Sequence, residues 1–141
     1  MINFFYFLRE RSKSSNKFIA FLFYSFYRVL LLIYGSSIPL NTLLGKRLVF
    51  PHSFFGIFIS GDAELGDDVT IYHQVTIGSV TTAGSKHLGA PKIGNGTIIG
   101  AGAKIIGGIT IGENVKIGAN CVVSENIPDG KTVVLSKPRV L

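Results

Sequence analysis

Three histidines, His52, His73 and His87, are the side chains in this chain of 141 residues whose ordinary pKa lies nearest neutrality. Such a group can take a proton from a hydroxyl and later return it, which is the work of a general base. What each can do depends on its place in a pattern with a period of six. Isoleucine, leucine or valine recurs at Ile59, Leu65, Ile71 and Ile77, and again at Ile93, Ile99, Ile105, Ile111, Ile117 and Val123. The pattern breaks twice. From Phe50 to Ile59 is nine residues, three more than the period, and the extra length holds Pro51-His52-Ser53-Phe54-Phe55-Gly56. From Ile77 to Ile93 is sixteen, four more than two periods, and that stretch, Gly78 to Lys92, holds His87. Breaks in a repeat carry its functional insertions, because stacking fixes the rest. His52 and His87 are therefore candidates for proton transfer. His73 falls inside a regular repeat, at its third position, and is expected on the surface.

The elements that must position these residues follow from the period. Six suits neither an amphipathic helix, which repeats near 3.6, nor a lone strand, which repeats at two. It suits short strands joined by tight turns and wound into a parallel β-helix. Each anchor, and the residue four after it (Ala63, Val69, Val75, Thr97, Ala103, Ile109, Val115, Cys121), is expected to point inward. Gly follows the anchor at Gly66, Gly78, Gly94, Gly100, Gly112 and Gly118, where a corner needs backbone freedom. Extended backwards, the register reaches Phe50, Leu44 and Ile38. Residues 36–128 are predicted to form the β-helix with a loop at 78–92, residues 1–35 a helical, aromatic segment, and residues 129–141 a C-terminal tail.

Three segments carry a resemblance to a known family: Ile71-Tyr72-His73-Gln74-Val75-Thr76-Ile77-Gly78, Ala90-Pro91-Lys92-Ile93-Gly94 and Ile99-Gly100-Ala101-Gly102-Ala103-Lys104. Over about residues 36–141 the chain resembles the hexapeptide-repeat acyltransferases, in particular the serine acetyltransferase-like O-acetyltransferases of bacterial surface-sugar pathways. The resemblance implies a left-handed β-helix of triangular section, although the general crossover rule favours the right hand. It implies acetyl-CoA as acyl donor, a homotrimer with the site between two subunits, and a His near a coil corner as base. His52 matches the family His of a His-x-x-Gly-Ile segment with one residue extra. His87 matches a second active-site His, four residues before Pro91 rather than adjacent to it. Gly100, Ala101 and Ala119 match corners where the backbone meets pantetheine. Ser124 matches a position near the distal part of CoA, and Lys137 and Arg139 a basic end that meets its phosphates. Two departures bear on the acceptor. Pro51 stands where serine acetyltransferases carry an Asp that holds an ammonium, and Ser37 where they carry an Asp that orients the His. Without those carboxylates free serine loses its charge partner, so the expected acceptor is a hydroxyl of a sugar or surface polysaccharide.

The rest of the chain is a different material. All eleven Phe lie at or before Phe58 and four of five Tyr at or before Tyr34. A narrow aliphatic core has no room for so many rings, so they belong to a separate region. The net charge is +6, of which residues 1–35 supply +4 through Arg9, Arg11, Lys13, Lys17 and Arg28 against Glu10. No nucleic-acid motif accompanies it. Phe18 to Tyr34 is an apolar run broken by Ser25 and Arg28, with Asn16 placed to cap its start and Gly35 its end. As a helix it reaches roughly 25 Å, short of the ~30 Å hydrocarbon core. No small-residue cleavage site follows, which argues against a secretory signal. Spanning would put the repeats outside, away from acetyl-CoA. The expected location is the cytoplasm. Packing within the trimer, or peripheral contact of residues 1–34 with the inner face of the cytoplasmic membrane, are the two uses open to this segment.

Three other functions compete. Free serine as acceptor keeps the same site. A noncatalytic scaffold accounts for the repeats but not for a His in each break. A zinc site of the kind in left-handed β-helix carbonic anhydrases needs two His five apart, whereas the spacings here are twenty-one and fourteen, so no metal is expected. Cys121, at an inward position, is expected to be a buried small hydrophobe.

Overall fold

The computed structural model describes residues 2–136, so Lys137 and Arg139, expected at the CoA phosphates, lie outside the described residues. Two helices open the chain, α1 (Ile2–Arg11) and α2 (Lys17–Ile33). Twelve very short strands follow: β1 (Leu43–Leu44), β2 (Phe58–Ile59), β3 (Glu64–Leu65), β4 (Thr70–Ile71), β5 (Thr76–Gly78), β6 (Lys92–Ile93), β7 (Ile98–Ile99), β8 (Lys104–Ile106), β9 (Thr110–Ile111), β10 (Lys116–Ile117), β11 (Val122–Val123) and β12 (Thr132–Val133).

These strands form three parallel sheets: A (β2, β5, β8, β11), B (β1, β3, β6, β9) and C (β4, β7, β10, β12). The chain visits A, B and C in turn, so the sheets are the faces of a three-sided prism. Parallel bridges Ser37–Phe58 and Val49–Thr70 add a first coil above β2 and β4. Each anchor from Ile59 to Val123 is buried, as are Ala63, Val69, Val75, Thr97, Ala103, Ile109, Val115 and Cys121, each four after an anchor. The six-residue period thus maps onto one face and one corner of the prism. Coils stack closely enough to dictate side-chain size. A Cβ on Gly94 would lie 2.5 Å from the Gly112 carbonyl carbon, and one on Gly100 would lie 2.7 Å from the Ala119 nitrogen. Both are backbone atoms that cannot yield. At the corner between sheets B and C, Asp67, Asn95 and Asp129 accept backbone N–H bonds from Lys46, Asp67 and Glu113 at 2.8 Å. Cys121 is buried in the stack.

The ladder continues past residue 128, since β12 pairs with β10, so the segment expected as tail begins with one more rung. The second break also differs from its sequence reading. β5 and β6 occupy adjacent faces of one coil, so the insertion is ten residues beyond a single period, with no hidden repeat inside it. Its base is closed by reciprocal Val80–Gly89 hydrogen bonds of 2.8 and 2.9 Å. It lies back on the next coil, where Gly107 and Gly108 donate N–H bonds to the Gly78 and His87 carbonyls, both at 2.8 Å.

The N-terminal segment holds two helices rather than one. Asn16 caps α2, its Oδ1 accepting from Phe18 and Ile19 N–H at 3.0 and 3.2 Å, which satisfies donors a helix start leaves free. Phe5, Leu8, Tyr27 and Leu31 pack on Ile38 and Phe54. The Phe5 and Phe54 rings lie 4.7 Å apart. The extra residues of the first break therefore contribute to packing, because they deliver Phe54 to the helices. Arg9 is 3% exposed and closes the top of the prism. It donates to the Pro39, Leu40 and Thr42 carbonyls at 2.8, 3.0 and 2.5 Å, and to the Tyr27 hydroxyl at 3.3 Å. Tyr27 in turn donates to the Ile38 carbonyl at 2.6 Å, and burial pushes its phenol pKa up, keeping it a neutral donor. A cationic fork on four oxygens thus caps the open end of the first coil.

Candidate active site

Strand ends set the corners, and the corners set the site. His52 follows the Val49 bridge at the corner where sheet C turns into sheet A. His73 follows β4 at the same corner, one coil further on. The ring centroids of His52 and His73 are 5.2 Å apart with planes at 87°, and Tyr72 stands 5.7 Å from His52. His73 is therefore not a lone surface residue. It is half-buried, and its Nδ1 is buried without a hydrogen-bond partner among the described residues.

The stack continues below. The Gly102 N–H donates to the His73 carbonyl at 3.0 Å, and the Asn120 N–H to the Ala101 carbonyl at 2.8 Å. Gly100, Ala101 and Ala119 thus occupy the same edge as His52 and His73, in successive coils. Gly100 also has a stacking reason to be glycine, independent of any ligand. The edge presents small side chains and short backbone segments, a surface along which an extended chain can lie.

His87 and Ser124 are elsewhere. His87 sits in the inserted loop over Gly107, at the corner where sheet A turns into sheet B; a Cβ on Gly107 would come within 2.8 Å of the His87 carbonyl oxygen. Ser124 follows β11 at that same corner. The sequence-derived site thus divides between the two edges of sheet A. Within one chain, His52 and His87 do not share a corner, and a joint role requires the second corner to come from another copy. The ion pairs of the described residues, Arg47 with Asp67 and Asp68 and Lys92 with Glu64, leave both histidines without a carboxylate. Nor do the described residues hold a group of three or more His, Cys, Asp or Glu placed for a metal ion. The chemistry available at the first corner is proton transfer by an exposed imidazole beside a second one.

The signal that could have found His73 was its register. His52 and His73 both stand just after a sheet C rung, and residues at equal positions in successive coils are neighbours.

Comparison with known proteins bears on this geometry. Residues 90–125 match the family described as bacterial transferase hexapeptide (six repeats). The chain is 39% identical over 110 residues to a serine acetyltransferase of Helicobacter pylori, covering 77% of this chain and 62% of that protein. It is 35% identical over 107 residues to Escherichia coli WcaB, named for an acetyltransferase of colanic acid biosynthesis, covering 76% of this chain and 64% of that one. Among solved structures, Neisseria gonorrhoeae serine acetyltransferase in complex with serine superposes with a TM-score of 0.76 at 34% identity, over 97% of this chain and 54% of that chain. The prism is accordingly a left-handed parallel β-helix preceded by two helices. The chain spans under two thirds of the length of these relatives.

Proposed function

We propose, from the premise that this chain belongs to the hexapeptide-repeat transferase family, that it is an O-acetyltransferase. It would transfer acetyl from acetyl-CoA to a hydroxyl of a sugar or surface polysaccharide. The observation that carries the reading is the edge between sheets C and A, where His52 stands exposed above the small-residue corners of Gly100, Ala101 and Ala119. His52 takes the hydroxyl proton as the oxygen attacks the thioester carbon. Backbone N–H groups near the corner stabilise the oxyanion. The C–S bond then breaks, and the proton returns to the departing thiolate. Pantetheine lies along the corners of Gly100, Ala101 and Ala119. His87 and Ser124 come to this groove from the other edge of sheet A on a neighbouring subunit of a trimer, and Lys137 and Arg139 meet the CoA phosphates.

Serine as acceptor is the second reading. Several relatives are named serine acetyltransferases, which favours it. Against it stand Pro51 and Ser37 in place of two carboxylates, and the absence of a carboxylate in ion-pair reach of His52 among the described residues. An ammonium group at that corner would go unpaired. Measuring thiol release from acetyl-CoA with L-serine and with a panel of sugars separates the two. Turnover on serine with none on any sugar rejects the sugar reading.

The helices serve the assembly rather than the chemistry. No helix of the described residues is long and apolar enough to cross a membrane. The outer face of α2 nevertheless exposes Phe18, Phe21, Leu22, Val29, Leu32 and Ile33. Such a face is covered by another subunit or lies on the inner surface of the cytoplasmic membrane.

A further inference from the structure

His52 needs a partner that its sequence surroundings lack. A base works only if one ring nitrogen carries its proton and the other faces the acceptor. Ser37 occupies the place of the expected orienting carboxylate, and the rings paired with His52 among the described residues are His73 and Tyr72. His73 meanwhile has the opposite problem, a buried Nδ1 with nothing to bond. Leaving a buried polar atom unpaired forfeits a hydrogen bond that water would have supplied, so such an atom calls for an explanation. Each imidazole supplies what the other lacks.

We propose that His73 is the positioning residue for His52. The Nδ1 lone pair of His73 accepts a hydrogen bond from one ring N–H of His52 after a turn of the exposed His52 ring. The other His52 nitrogen is left unprotonated toward the acceptor hydroxyl. A neutral imidazole thereby stands in for the orienting carboxylate. This rests on the general-base reading of His52 given above. The acceptor's proton goes to the free His52 nitrogen as the C–O bond forms, and from there to the thiolate as the C–S bond breaks. His73 holds its own proton on Nε2 throughout.

The corner is built to keep His73 still. Its carbonyl accepts from Gly102 N–H at 3.0 Å, and Lys104 Nζ donates to the carbonyl of the next residue, Gln74, at 2.7 Å. The other titratable ring paired with His52 among the described residues is Tyr72, 5.7 Å away. A hydrogen bond from a His52 ring N–H to the His73 Nδ1 holds the proton on His52, and that linkage is what the test reads.

The test compares the full-length protein with His73→Phe, which keeps a ring but no nitrogen, and His73→Asn, which returns a polar atom near the Nδ1 position. Thermal unfolding and acetyl-CoA binding are followed in all three to separate folding from chemistry. His73→Phe is expected to lower kcat by about 10–100-fold, less than loss of the base itself, with acetyl-CoA affinity unchanged. The acid limb of its kcat profile is expected at lower pH, and His73→Asn should recover part of the rate. NMR titration of the His52 ring reads the pair without any turnover, and the His52 midpoint should fall in His73→Phe. An undiminished rate in His73→Phe, a limb that moves upward, or an unmoved His52 titration overturns the proposal. If no hydroxyl is acetylated by the wild type yet the His52 midpoint still depends on His73, the enzyme reading fails and the pair stands.

Discussion

At the scale of single residues, the site depends on which groups are replaceable and which are not. His52 is exposed, so His52→Ala removes the imidazole with little loss from the core. The expected result is a kcat lower by roughly 10²–10⁴-fold, the usual contribution of a positioned base. Acetyl-CoA affinity by calorimetry should not change, since the donor is held by the coils. Full activity in His52→Ala would move the site away from the corner between sheets C and A. Gly100 is the contrary case. Its missing Cβ makes room for backbone atoms at 2.7–2.8 Å, so Gly100→Ala must push two coils apart. Overpacking of this kind costs typically 1–3 kcal/mol. A denaturation midpoint unchanged by Gly100→Ala would show that the coils are looser than their stacking implies. If stability falls while binding per folded molecule is kept, Gly100 serves the stack rather than the cofactor.

At the scale of elements, α1 acts as the lid of the prism. Its Arg9 joins three coil carbonyls and the Tyr27 hydroxyl, all on segments distant in sequence. Arg9→Met keeps most of the apolar stem and deletes the donors, leaving the buried Thr42 carbonyl without its Arg9 donor. Hydrogen bonds to a charged group contribute about 1.5–3 kcal/mol each and are not additive, so a loss of about 3 kcal/mol is expected in urea unfolding. A loss under ~0.5 kcal/mol, the range of ordinary surface changes, would mean that water caps the first coil equally well. The inserted loop is a second element with a definite seat. Gly107 and Gly108 let its His87 and Leu88 carbonyls approach to distances a side chain would forbid. His87 is thus fixed at its corner by backbone bonds and does not hang in solvent.

At the scale of the whole molecule, two features ask for a further surface. One is the division of the candidate site between two corners. The other is α2, where Phe18 and Leu32 are 75% and 78% exposed although the opposite face is buried on the prism. A homotrimer is expected by light scattering, and a monodisperse monomer that turns over acetyl-CoA would contradict the shared groove. The paired substitution Phe18→Glu with Leu32→Glu tests the outer face without touching the core. It should either lower the oligomeric state or abolish co-sedimentation with anionic vesicles. If both stay as in the wild type, the face is simply solvated. Deleting residues 1–34 is a harsher change, because Phe5, Leu8, Arg9, Tyr27 and Leu31 leave the core with it.

The β-helix was legible because its signal is local and repeated. A period of six states which side chains point inward, and every anchor from Ile59 to Val123 is buried as that period requires. The break that holds His52 was legible for the same reason, whereas Gly100, Ala101 and Ala119 were marked by the family resemblance. The meeting of His52 with His73 was carried in the register but obscured there, because the three-residue insertion between Phe50 and Ile59 breaks the even count that would align them one coil apart. Nor could the period reveal that Phe54 in the first break is a packing anchor for α1, or that Arg9 closes a coil thirty residues away. Those contacts join segments with unlike patterns, and an aromatic helix carries no mark of where on a prism it will rest. Local periodicity determined the stack; the tertiary structure decided what its corners and its open end were brought to touch.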